Sequence, residues 1–118
     1  MIQLGGIHAV VVFSDEPRRL AAWYRRMFAS EEITNEEDFV GLSCGEVALF
    51  VQRTSEGHTP GVGGIRPHFT VEDCRGAHRA LVAAGGRSLL PPTDLGDEVV
   101  AAVTDPDGNP LGLLEPRA

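Results

Sequence analysis

Two histidines carry the chemistry this chain could perform. His8 lies in "GGIHAVVVFSD" and His68 in "GIRPHFTVED", each near the start of a strand-like run that leads to an acidic residue and then a helical pattern. A neutral imidazole both donates and accepts hydrogen bonds and is a common metal ligand, so the pair suits either a polar ligand or a transition metal. A hard divalent ion acting as a Lewis acid on oxygen needs carboxylates as well, to offset its charge. Whether acids stand beside the histidines is therefore the central question.

The elements that must position these residues repeat. Ile7 to Phe13 is apolar and β-branched, as expected for a strand covered on both faces. Ser14 offers an N-cap with Asp15, Glu16 and Pro17 in the first turn, and Leu20, Trp23, Tyr24, Met27 and Phe28 form one apolar helical face. An acidic loop containing Glu31, Glu32, Glu36, Glu37 and Asp38 precedes two strands, "FVGLSCG" and "EVALFVQR", joined around Cys44 to Glu46.

The order then recurs. "PHFTV" is a strand, Asp73 an N-cap, and "CRGAHRALVAA" a helix with Ala77, Leu81 and Ala84 on one face and Gly85 and Gly86 as its stop. "RSLLPP", "EVVAAVTD" and "NPLGLLE" follow as strands. The expected fold is α+β: two βαβββ modules forming a curved mixed sheet with helices on the outer face. Module one covers about residues 6–53, a Gly- and Pro-rich connector about 54–66, and module two about 67–116, within a single domain.

Composition narrows the function. A chain of 118 residues with 42% hydrophobic content suits one domain, and its net charge of −7, from 17 acidic and 10 basic residues, argues against nucleic acid or an anionic membrane as partner. No apolar run has membrane-spanning length and no signal-peptide pattern opens the sequence, so the expected location is cytoplasmic. Cys44 and Cys74 lack zinc-motif spacing and read as buried thiols.

With "IHAVVVFSD" leading into "LAAWYRRMF", then "PHFTVED" with its helix, then "VTDPDGNPLGLLE", the chain resembles the vicinal oxygen chelate superfamily from about Gly6 to Glu115. That superfamily groups glyoxalase I, extradiol dioxygenases, fosfomycin-resistance enzymes and bleomycin-resistance proteins. The resemblance implies, in metal-dependent members, a His or Gln on the first strand, a Glu on the last strand of the first module, a His on the first strand of the second module and a Glu on the final strand. His8 and His68 match. Phe50 or Ala48 stands at the first carboxylate position and Gly112 at the second, while alternation sends Glu115 to the helix side with Leu111 and Leu113.

Alternation also groups His8, Val10 and Val12 on one face of the first strand, and His68 with Thr70 on one face of its counterpart. The expected ligand-binding residues are accordingly His8, Val10, Phe50, His68, Thr70 and Leu114, with no catalytic residue assigned. No metal is favoured; a divalent ion, if present, would use His8 and His68. The leading reading is a small-molecule-binding protein like the bleomycin-resistance branch, forming a homodimer, with the acidic charge favouring a cationic drug. The alternatives are a metal-dependent lyase, isomerase or dioxygenase of the same superfamily, or a non-catalytic dimeric accessory module.

Other candidates carry less. "DPDGNP" lacks the glycine and closing glutamate of a calcium loop, and "GVGGIRP" lacks the Lys and Ser/Thr of a phosphate loop. Trp23 and Tyr24 read as core residues, His78 as an exposed helix residue, and His58 as a connector residue able to act as a lid.

Overall fold

In the computed structural model, residues 3, 7, 9–54 and 66–117 are described. The chain divides into two compact units, residues 1–57 and 58–118. The first contains β1 (Ala9–Ser14), α1 (Pro17–Phe28), β2 (Glu32–Glu36), β3 (Phe39–Cys44) and β4 (Val47–Arg53). The second contains β5 (His68–Thr70), α2 (Cys74–Ala83), β6 (Ser88–Asp94), β7 (Glu98–Thr104) and β8 (Pro110–Pro116).

Each unit holds a four-stranded mixed sheet, ordered β1-β4-β3-β2 and β5-β8-β7-β6. In both, the first strand pairs parallel to the last, and the other pairings are antiparallel. Two βαβββ modules of one topology therefore make up the fold.

The helix in each module covers one sheet face because only that face is continuously apolar. α1 buries Leu20, Ala21, Trp23 and Tyr24 over Val40, Leu42, Leu49 and Val51. Trp23 and Tyr24 meet edge to face, with ring centroids 5.1 Å apart, as core aromatics prefer. The helix begins at Pro17, later than Ser14 suggests, since Ser14 ends β1 fully buried and its Oγ accepts the Glu16 N–H at 3.0 Å. Proline at the first helical position needs no N–H donor, and Glu16 caps by backbone alone.

α2 is anchored differently. Asp73 is its N-cap, accepting the Gly76 N–H, and Glu115 Oε1 accepts the Cys74 N–H at 2.8 Å. Two of the helix's orphan donors are thus met by carboxylates, which the N-terminal dipole also favours. Gly85 ends the helix with φ +107°, a conformation a side chain would strain.

The acidic segment expected as a loop contains β2, an edge strand. Its charge does not prevent pairing, because a polar edge strand keeps its side chains in water and discourages association with other chains. Glu32 and Asn35 reach Arg25 and Arg18 of α1. At the other module's edge, β6 accommodates Pro91 and Pro92 where its register shifts, as proline in a sheet requires. Among the described residues, no helix is long and apolar enough to cross a membrane.

Candidate functional site

Register decides which side chains share the helix-free face of each sheet, since laterally paired residues point the same way. In module two, His68 pairs with Gly112, Phe69 with Leu113 and Thr70 with Leu114, and Ala102 pairs with Gly112 from the other side. Leu111 and Leu113 are fully buried on the helix side, where Cys74 Sγ lies 3.9 Å from the Leu113 carbonyl oxygen. His68, Thr70, Gly112 and Leu114 therefore share the helix-free face.

The His68 ring lies over Gly112. A Cβ placed on Gly112 would stand 2.6 Å from His68 Nδ1 and 2.7 Å from Cγ and Cε1, closer than real side-chain contacts allow. The imidazole thus fills the space from which a carboxylate side chain would grow. Glu115, the next acid along β8, is committed to the start of α2 through Cys74. By register the carboxylate of β7 on this face is Glu98, four residues from Ala102 and so about 13 Å along the strand at roughly 3.3 Å per residue.

In module one, Val11 pairs with Phe50 and Phe50 with Gly41. The Phe50 ring stacks on Phe39, centroids 4.7 Å apart and planes 20° apart, and its edge lies 2.7 Å from where a Gly41 Cβ would be. Phe50 therefore sits on the helix-free face as an apolar wall. Val10 does not. It pairs with Leu49, which is buried under α1, so the assignment of Val10 to Phe50's face is overturned. "AVVVF" is apolar at every position and carries no alternation to reveal its faces; pairing with β4 settles them.

The same register revises the match between the two strand openings. Counted back from the helix N-caps Glu16 and Asp73, the place of His68 falls on Val11, and both lie on the first strand beside the last strand's Phe50 or Gly112. Val11, exposed and in register with Phe50, is the face residue that sequence reading missed; distance from the helix start could have found it. His8 and His58 lie outside the described residues.

Among the described residues, no three His, Cys, Asp or Glu side chains converge as a metal site. Cys44 is half-buried at the end of β3, more open than expected, and Cys74 is buried. Burial raises both thiols above the ordinary cysteine range; for Cys74, Glu115 and Asp73 push further up while Arg75 pulls down. His78 is half-buried instead of exposed, its Nε2 2.8 Å from Ser88 Oγ.

Two βαβββ modules with one strand order are the architecture of the vicinal oxygen chelate class. Within it, the chain belongs to the glyoxalase-like domain family, whose model matches residues 9–114. A glyoxalase/bleomycin resistance protein/dioxygenase family enzyme from Burkholderia phytofirmans PsJN superposes with a TM-score of 0.80 at 18% identity, covering 92% of this chain and 97% of that one. TioX from Micromonospora sp. ML1 gives 0.71 at 20% identity, with 96% and 100% covered. Lactoylglutathione lyase from Agrobacterium tumefaciens gives 0.70 at 17%, with 95% and 94% covered. At these identities the likeness is one of fold. No curated protein matches the chain.

Proposed function

We propose that this protein binds a small molecule on the helix-free face of module two without a carboxylate-held metal. One observation carries the reading: the His68 ring occupies the space above Gly112 where the superfamily resemblance implies a glutamate. The other expected carboxylate position holds Phe50, stacked on Phe39. This donor set does not fit a hard divalent ion, which takes oxygen ligands and needs carboxylates to offset its charge.

His68 and Thr70 lie one alternation apart on the same strand, spaced for two polar atoms of one ligand, and partly exposed Leu114 and Val100 supply apolar surface beside them. The carboxylate of β7 on this face, Glu98, lies at the far end of its strand, so a ligand with neutral hydrogen-bonding groups suits the His68 and Thr70 pair. The same reading takes the protein as a homodimer, supported by the open edges of both sheets.

The test is elemental analysis of protein purified without chelator, followed by a thermal-shift screen of small polar metabolites with and without EDTA. Metal well below one per chain is expected, together with a hit insensitive to EDTA and lost in His68→Ala. A ligand at 100 times its Kd stabilises by about 2.7 kcal/mol, which such a screen resolves. Stoichiometric metal that leaves with EDTA would overturn the proposal in favour of the metal-dependent enzyme. A monomer in sedimentation at micromolar concentration would remove the dimer.

A further inference from the structure

The opposite side of module two has a groove of its own. Between α2 and β6, Arg75, His78, Arg79, Val82, Ala83 and Pro92 line an open depression of about 530 Å³. Arg75, His78, Arg79 and Val82 follow the i, i+3, i+4, i+7 stripe of one helical face. The cationic end thus passes directly into an apolar end, where Val82 is 39% exposed.

Although the chain carries a net charge of −7, two arginines meet at this groove. Arg75 and Arg79 are exposed, and neither makes an ion pair among the described residues. Exposed Glu72 precedes Arg75 by three residues, while three other acids nearby are already engaged. Asp94 of β6 is held by Arg117 at 2.7 Å and by the Gly96 N–H, Asp73 caps the helix, and Glu115 takes the Cys74 N–H. Asp94 feels the Arg75 charge only weakly, after those partners. His78 is tethered to Ser88 of β6, its Nε2 2.8 Å from Oγ, which fixes its ring instead of leaving it to solvent.

We propose that this groove binds a small organic anion with an apolar body, its carboxylate or phosphate head on the Arg75 and Arg79 guanidiniums and its body against Val82, Ala83 and Pro92. Guanidinium forks match planar and tetrahedral oxyanions, and four residues of helix place the two forks on one side. The site lies on the helix side of its sheet, away from His68, and does not depend on the function proposed above.

The test is an amide-shift NMR titration of the full chain with octanoate and with octyl phosphate, against inorganic phosphate and octyltrimethylammonium as controls. Saturable shifts confined to α2 and β6 are expected from an octyl anion, with the octyl cation silent and inorganic phosphate at least about tenfold weaker, given about 0.8 kcal/mol for each buried methylene. Arg75→Gln combined with Arg79→Gln should weaken binding by about tenfold or more, as loss of charge-assisted hydrogen bonds does. Both arginines are exposed, so the variant keeps its fold, checked by an otherwise unchanged spectrum. Absence of saturable shifts, equal binding of the octyl cation or of bare phosphate, or an unaffected double variant would overturn the site. The stronger of the two octyl anions identifies the preferred head.

Discussion

The two modules solve one geometric problem with different side chains. Across module one's helix-free face runs the row Val11, Phe50, Gly41, Thr34; across module two's runs His68, Gly112, Ala102, Leu90. Each row sets a ring over a glycine on the neighbouring strand. In module one the ring belongs to the last strand and is a hydrocarbon held by a second ring. In module two it belongs to the first strand and is an imidazole, with no aromatic clamp among the described residues. Topology fixes where the row lies, and residue type decides whether it becomes a wall or an anchor.

The comparison breaks most readily at the glycines. Gly41→Ala forces the Phe50 ring off its stack and is expected to cost about 1–3 kcal/mol in denaturant unfolding, as overpacking does. Gly112→Ala should cost less, because exposed His68 can rotate away, and should abolish whatever binding His68 supports. A loss at Gly112 as large as that at Gly41 would show that both rings are equally clamped.

The helix starts sharpen it next. Glu115→Ala removes a carboxylate acceptor from the Cys74 N–H and is expected to lower stability by about 1.5 kcal/mol or more, whereas Glu16→Ala, with no side-chain cap to lose, should stay within about 0.5 kcal/mol. Equal losses would remove the distinction between a capped and an uncapped helix. A double-mutant cycle of Phe39→Leu and Phe50→Leu should return a coupling of about 0.5–1.5 kcal/mol, the value of an aromatic pair beyond burial. Zero coupling would mean that the wall is merely apolar.

The smallest effect concerns the thiols. Buried Cys74, its thiol raised by desolvation and by Glu115 and Asp73, should alkylate far more slowly at pH 8 than half-buried Cys44. Because the folded-state value lies above the unfolded one, the associated stability is complete below the ordinary thiol range and is lost as pH rises through the higher folded value. Cys74→Ala should therefore flatten the alkaline decline in the urea midpoint; an unchanged decline would assign it to other groups.

Much of the fold was legible because its signals are local. The apolar stripe at Leu20, Trp23 and Tyr24, the Asp73 cap and the glycines after α2 each act within one helix turn, and repetition of strand, helix and strands showed the duplication. β2 was not legible, since an edge strand of charged and polar residues looks like a loop until a partner gives it hydrogen bonds. The candidate site was legible in half: the missing carboxylates at Phe50 and Gly112 and the helix-side place of Glu115 follow from spacing and alternation.

The sequence by itself determined the residue types at those positions, the class of module and the glycine in place of an acid at position 112, because these depend on identity and periodicity along the chain. Only tertiary structure decided that Val10 turns under α1, that Val11 is the counterpart of His68, and that the imidazole lies over Gly112. Those facts depend on which strand pairs with which, and in what register, and a uniformly apolar strand such as "AVVVF" carries no such information until its neighbour is in place.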